Sequence, residues 1–302
     1  MKKIIIDTDP GHDDALAIML AEKSRMFDIL AITTVAGNTT IEKTTRNAKY
    51  VLDLLDSKIP LYSGSEKPIK RELIKAVVHG ESGLAGIDPE GEVELTNNAV
   101  DMILKLVKEN PEEITLVTLG PLTNIARAIQ RDPDVMKKVV EIVAMGGAIK
   151  VPGNKNRVAE FNFFVDPEAA DIVFRFPVKK TIVPLDACNR IKLSLDDFKK
   201  IKNQKIRGPV LKMMGPYIEN ITADAGVRGA LMYDPLTVYY LINPDSAKTK
   251  IYDLVIETKG EFTSGMCVLE LRKRVKKEKN ILVVEKINRE SFKKDFIEIL
   301  GR

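Results

Sequence analysis

The chain has 302 residues, of which 44% are apolar and 30% charged, enough to bury a sizeable core in one large domain or two small ones. A net charge of +4 across 47 basic and 43 acidic side chains is too even to point to a nucleic-acid partner. The apolar run Ile4-Ile5-Ile6 before Asp7 and Asp9 is too short for a signal peptide or membrane span, and Cys188 and Cys267 stand far apart in no metal-ligand spacing, so a cytoplasmic protein with reduced thiols is expected.

Apolar β-rich runs alternate with segments of helical period, the pattern of an α/β domain around a mostly parallel, Rossmann-like sheet. In chain order the spacing predicts strand Lys3–Ile6, helix Asp13–Glu22, strand Ile29–Ala36, helix Thr44–Leu55 and helix Asn98–Glu109. Strand Ile114–Leu119, helix Thr123–Gln130, strand Glu141–Met145, helix Pro167–Phe174 and strand Lys180–Pro184 follow. Helix Pro235–Ile242 and strands Ile251–Glu257 and Ile281–Glu285 close the series. With no repeat, low-complexity linker or compositional break, one domain is expected over residues 1–302 with a C-terminal extension. The basic run Arg272–Lys279 lacks an aromatic residue for base stacking and reads as a solvated hairpin tip.

The chemistry concentrates in Asp7-Thr8-Asp9-Pro10-Gly11-His12-Asp13-Asp14, which follows the first strand and opens the first helix. In parallel α/β sheets the ligand crevice lies at the carboxyl ends of the strands, where this strand delivers Asp9. The Pro-Gly turn lets Asp13 and Asp14 face back toward Asp9, and such a cluster is costly unless a cation fills it. Oxygen ligands favour Ca²⁺ or Mg²⁺ over zinc, and only His12 and His79 are available as imidazoles. Helix capping by Asp13 and Asp14 is the plainer reading, but it accounts for only one or two of the four acids. Asp7-x-Asp9 also begins the haloacid-dehalogenase phosphatase motif, which would want Thr or Val two residues beyond Asp9, where Gly11 stands.

Asp7-Thr8-Asp9-Pro10-Gly11-His12-Asp13-Asp14-Ala15 resembles the signature DxDPGxDDA of the inosine-uridine-preferring nucleoside hydrolases. The resemblance continues in family order through Ala31–Asn38, Leu119–Ala126, Met145-Gly146-Gly147, Ala159–Asn162, Asp166–Ala170 and Asp234-Pro235. It implies a Ca²⁺ ion held by the side chains of Asp9, Asp14 and Asp234 and the main-chain carbonyl of Leu119. It further implies ribose contacts from Asp13, Asn38, Asn154, Glu160, Asn162 and Asp234, with Met145 in the substrate site, and a homo-oligomer, dimer or tetramer. The partner implied is a small ribonucleoside. Without the family, Asn38 and Asn154 read as turn residues beside glycine, and Asp166 and Asp234 as helix N-caps before proline. For Asp166 the cap is the reading kept. Glu160 and Asn162 read as an edge strand with both side chains on one side.

The resemblance also implies the reaction: hydrolysis of the N-glycosidic bond, with Asp9 as the general base of the attacking water and Glu160 and the Asn162 amide oxygen facing the oxocarbenium-like sugar. The departing base needs a proton or strong hydrogen bonds. Many family members carry His immediately before the aspartate matched to Asp234, and Tyr233 stands there instead. His79 and Tyr233 are accordingly the candidate leaving-group contacts. Met213–Gly229, with Gly215, Pro216, Gly226 and Gly229, reads equally as a mobile lid that brings Tyr217 or Arg228 to the base and as a surface helix followed by a loop. A DxD-type phosphatase and a non-catalytic nucleoside-binding protein are the alternative functions.

Overall fold

A computed structural model describes residues 1–276 and 280–302. Strand β1 (Lys2–Thr8) leads into helix α1 (His12–Ser24), β2 (Phe27–Thr34), α2 (Ile41–Leu54) and the short β3 (Leu61–Ser63). After a long connection come α3 (Ala99–Glu109), β4 (Ile114–Thr118), α4 (Thr123–Arg131), the single turn α5 (Pro133–Met136) and β5 (Glu141–Met145). Then follow α6 (Phe161–Val165), α7 (Pro167–Arg175), β6 (Lys180–Val183), α8 (Leu185–Cys188), β7 (Lys192–Leu193) and α9 (Leu195–Phe198). The last part holds α10 (Gln204–Ala225), β8 (Ala230–Leu231), α11 (Tyr233–Ile242), β9 (Ala247–Tyr252), β10 (Leu254–Ile256), β11 (Cys267–Leu269), β12 (Ile281–Ile287) and α12 (Arg289–Leu300).

Eight strands form the central sheet in the order β3-β2-β1-β4-β5-β6-β12-β9, all parallel except the edge strand β9, which runs antiparallel to β12. The chain order reverses between β1 and β4, and at such a switch point the loops leaving two neighbouring strands diverge and open a crevice. The central strands β4, β5 and β6 are buried on both faces, whereas the edge strand β9 is largely exposed. One core layer packs α1, α10, α11 and α12 against the sheet, with Leu16, Met19, Tyr239, Phe292 and Phe296 fully buried; the other packs α3, α4 and α7, with Ile103, Ile125 and Val173. Helix α1 is buried nearly all round, so its sequence shows little amphipathic contrast.

Most elements lie where the sequence spacing puts them, and the departures have local causes. The expected strand Ile251–Glu257 divides at Asp253: β9 joins the main sheet, whereas β10 pairs with β11 in a separate two-stranded sheet, its Leu254 N–H donating to Asn280 Oδ1 at 3.1 Å. In the segment Met213–Gly229 the helix-then-loop reading is what the structure shows: it is helical through Ala225, the second half of the 22-residue α10, and the helix ends on Gly226 at φ 66°. Pro209 and Pro216 each remove a helical hydrogen bond, at a cost of about 3 kcal/mol or more, and burial of Met213, Met214, Tyr217 and Ile221 offsets it. The described part of the basic run, Arg272–Lys276, is exposed as expected, but it connects β11 to β12, which do not pair, so it is no hairpin tip. Residues 277–279 of that run lie outside the described residues. Both cysteines are free and buried, and among the described residues no helix is long and apolar enough to cross a membrane.

Candidate active site

The crevice at the switch point holds a cavity of about 710 Å³, within the usual range for a small-molecule site. Eleven of the residues singled out in the sequence line it: Asp13, Asn38, His79, Leu119, Met145, Asn154, Glu160, Asn162, Tyr217, Tyr233 and Asp234. Asp9 and Asp14 lie fully buried, outside that lining.

Local structure explains how the acidic turn is held. Asp14 Oδ2 accepts the Gly11 N–H at 3.0 Å, closing the N-terminus of α1, so the capping reading holds for this residue. Its other oxygen accepts Thr8 Oγ1 at 2.5 Å and the Asp9 N–H at 3.3 Å. Asn38 adds a side-chain donor to Asp14 Oδ2 at 3.2 Å, another to the Asp9 carbonyl at 3.1 Å, and its main-chain N–H to Asp9 Oδ2 at 2.6 Å. The Asn38 amide thus knits the loop after β2 to the loop after β1. Asp7, one step back, is not part of the cavity lining: it accepts Thr33 Oγ1 at 2.6 Å and Asn124 Nδ2 at 2.7 Å and ties β1 to β2 and α4.

The electrostatics are one-sided. Asp9, Asp13, Asp14 and Asp234 are all buried, and among the described residues none forms an ion pair with Lys or Arg. Asp9 Oδ1, Asp13 Oδ1 and Asp234 Oδ1 have no hydrogen-bond partner. Burial pushes every one of these carboxyls up, and mutual repulsion adds to it: Asp14 raises Asp9 and Asp13, the latter to about 8, while Asp14, Asp13 and Asp9 together raise Asp234. Oxygens of Asp13, Asp14 and Asp234 come within 4.8 Å of one another. This trio contains Asp13 and not the expected Asp9, whose Oδ2 accepts the Asn38 main-chain N–H. Orphaned buried carboxylate oxygens without a positive neighbour are what a hard divalent cation satisfies, so the donor set fits Ca²⁺.

The opposite wall is built from α6. Glu160 is not in an edge strand: it is the N-cap of α6, its Oε1 accepting Asn162 N–H at 2.9 Å and its Oε2 accepting Gly147 N–H at 3.1 Å and Phe163 N–H at 3.3 Å. Burial pushes its carboxyl up to about 7 against these donors. Asn162 donates Nδ2 to the Leu119 carbonyl at 2.7 Å and to the Met145 carbonyl at 3.4 Å, which leaves the amide oxygen as its unengaged end among the described residues. Asn154 is exposed at the mouth and accepts Phe161 N–H at 2.9 Å. Asp166, as expected, caps α7 through Ala169 N–H at 3.0 Å, and it also accepts Ile69 N–H and Thr123 Oγ1. Asp234 is no cap: α11 begins one residue earlier, at Tyr233, and Met232 is the capping position.

His79 and Tyr217 also line the cavity and stack with rings 5.8 Å apart. Tyr233 is half-buried, its hydroxyl 3.5 Å from Asn189 Oδ1, and burial pushes its phenol well up, so it stays protonated. Tyr217 reaches the cavity from α10, as does Asp224; Arg228 does not line it. Sequence reasoning missed Phe161, Asn189 and Lys192 in the lining. Phe161 could have been found, since it stands between Glu160 and Asn162; the other two lie outside every motif.

The family model described as inosine-uridine preferring nucleoside hydrolase matches residues 4–294. The chain is 38% identical to the pyrimidine-specific ribonucleoside hydrolase RihA of Escherichia coli O9:H4, over 96% of this chain and 95% of that protein. Among solved structures it resembles a plant nucleoside hydrolase, PpNRh1, with a TM-score of 0.93 at 30% identity, covering 99% of each chain. It also resembles a purine-preferring ribonucleoside hydrolase from Gardnerella vaginalis, with a TM-score of 0.91 at 29% identity over 99% of this chain and 98% of that one. A match of this length, on a crevice whose acids lie in the family's order, leaves one conclusion: the chain belongs to the inosine-uridine preferring nucleoside hydrolase family.

Proposed function

We propose that this enzyme hydrolyses the N-glycosidic bond of ribonucleosides to ribose and free base, with Asp9 as general base and Ca²⁺ as its resident ion. The observation that carries the reading is the set of buried, uncompensated carboxylates at a cavity of nucleoside size, with an unpartnered oxygen on each of Asp9, Asp13 and Asp234. Asp9, Asp14, Asp234 and the Leu119 carbonyl would hold the ion. When bound, it supplies the positive charge that keeps these acids ionised and attracts hydroxyl and water oxygens.

The chain's own residues account for the remaining requirements. Asp9, with one oxygen anchored by Asn38 and the other unpartnered, accepts the proton of the attacking water. Asp13, Asn38 and Asp234 grip the ribose hydroxyls near the floor, and Asn154 does so at the mouth. Glu160, fixed by main-chain donors, and the free amide oxygen of Asn162 face the sugar as it gains positive charge. Met145 packs beside them. His79 and Tyr233 hydrogen-bond the departing base.

Two buried thiols support a reducing, cytoplasmic setting in nucleoside salvage, and family membership supports a homodimer or homotetramer, which light scattering reads directly. The test of function is a panel of purine and pyrimidine ribonucleosides in Ca²⁺, scored for free ribose with and without chelator, beside Asp9→Ala. Ribose release that chelation and the substitution both abolish supports the reading; release indifferent to Asp9→Ala overturns it. The same panel reads base preference.

A further inference from the structure

The connection between β3 and α3 has no regular secondary structure, yet its residues Ala76, Val77, Val78 and His79 line the cavity. One face of α10 holds them there. Asn220 Nδ2 donates to the Val78 carbonyl at 3.1 Å. Tyr217, one turn earlier, stacks on the His79 ring at 5.8 Å, and that ring also lies 5.2 Å from the ring of His12. Immediately before Tyr217, Pro216 has no N–H to give the Lys212 carbonyl, the acceptor it would address in a regular helix. Gly86 packs against that freed carbonyl and the Pro216 ring, at φ 87° and so close that a Cβ would overlap the oxygen. Lys212, Pro216 and Asn220 follow at four-residue spacing, so these contacts lie along one stripe of the helix with Tyr217 beside it.

The stripe fixes the backbone on both sides of His79. A peptide unit is planar, so the Val78 carbonyl that Asn220 holds lies in one plane with the N–H and Cα of His79. The next unit is held as well: the His79 carbonyl accepts the Ala85 N–H at 3.1 Å, and Ala85 precedes Gly86, the residue seated on α10. With both flanking units held, the backbone angles of His79 are set, and the stacked rings limit rotation of its side chain. Asn220 itself is half-buried and does not line the cavity, so replacing it removes no substrate contact.

We propose that Asn220 is a positioning residue: by gripping the peptide bond before His79, it holds the imidazole where the departing base is met. The inference rests on the nucleoside-hydrolase reading for what His79 meets, whereas the grip itself is measurable without turnover.

Hydrogen–deuterium exchange reads the grip directly. In Asn220→Ala the amides of residues 76–80 should exchange about fivefold faster than in the wild type, the effect of one lost hydrogen bond on a local opening, while those of the central strands keep their rates. In kinetics the same variant should lose about tenfold in kcat on natural ribonucleosides, with KM changed less than about threefold. Asn220→Gln, which keeps the amide on a longer arm, should recover part of that loss. In a His79→Ala background, Asn220→Ala should cost less than about twofold, because a residue that acts through His79 has nothing left to position. Losses that add in the double variant overturn the proposal, as do wild-type exchange at residues 76–80 or wild-type kcat in Asn220→Ala. Failure of the wild type to release ribose from any nucleoside would instead overturn the proposed function, with the exchange comparison still deciding the grip.

Discussion

Asn38 donates its main-chain N–H to Asp9 Oδ2 at 2.6 Å, so the residue that anchors the proposed base comes from a different loop from the base itself. The approach is possible because the neighbours of that carboxylate lack side chains. A Cβ at Gly37 would fall 2.1 Å from Asp9 Oδ2, and one at Gly120 would fall 2.5 Å from Oδ1. Either glycine replaced by alanine therefore pushes the carboxylate out of place.

For Gly37→Ala and Gly120→Ala the expected result is a loss of about 100-fold or more in kcat/KM, the usual effect of an ångström of misplacement at a reacting group. Ca²⁺ affinity measured by calorimetry should weaken in parallel, while circular dichroism stays native. Wild-type turnover in both variants would mean that Asp9 does not work from this position.

The buried acids set a pH dependence of stability in the metal-free protein. Burial raises the folded-state values of Asp7 and Glu160 to about 7 and of Asp13 to about 8, above the ordinary 3.8 for Asp and 4.5 for Glu. The folded state thus binds protons more tightly than the unfolded chain, and the contribution is fully present below about pH 4 and lost as pH rises to about 8. Melting temperature in chelator should fall between pH 5 and 8, and Ca²⁺ should remove most of that slope. A metal-free melting temperature that rises over this range would contradict the electrostatics described here.

Tyr233 lines the cavity immediately before Asp234, and its phenol stays protonated at every working pH. If the hydroxyl serves the leaving base, Tyr233→Phe should cost up to about tenfold in kcat on natural nucleosides, the worth of one hydrogen bond, with KM nearly unchanged. A variant that keeps kcat but raises KM would assign the ring, not the hydroxyl, to base binding.

Discrimination against 2′-deoxyribonucleosides should be large. The floor groups Asp13, Asn38 and Asp234 are buried, and a substrate without the 2′-hydroxyl leaves polar atoms unpaired, so kcat/KM should fall by roughly 10⁴. Comparable rates on uridine and 2′-deoxyuridine, or on inosine and 2′-deoxyinosine, would remove the sugar-binding role given to these residues.

Sequence alone determined the parallel α/β frame, the strand that delivers Asp9, and the acidic turn, because hydrophobic period and turn chemistry are written within a few neighbouring residues. Glu141–Met145 was legible to the residue for that reason. Within one segment, however, competing local signals could not be ranked. Pro209, Gly215 and Pro216 argue against a helix, yet α10 runs through them because its buried face packs on the core. Glu160 and Asn162 alternate like a strand, yet the N–H groups of Gly147, Asn162 and Phe163 make Glu160 a helix cap. Which acids share a cavity, and that His12 seats itself against His79 across 67 residues, was decided only when the chain closed around the sheet. Such pairings depend on the relative placement of distant elements, which no local propensity encodes.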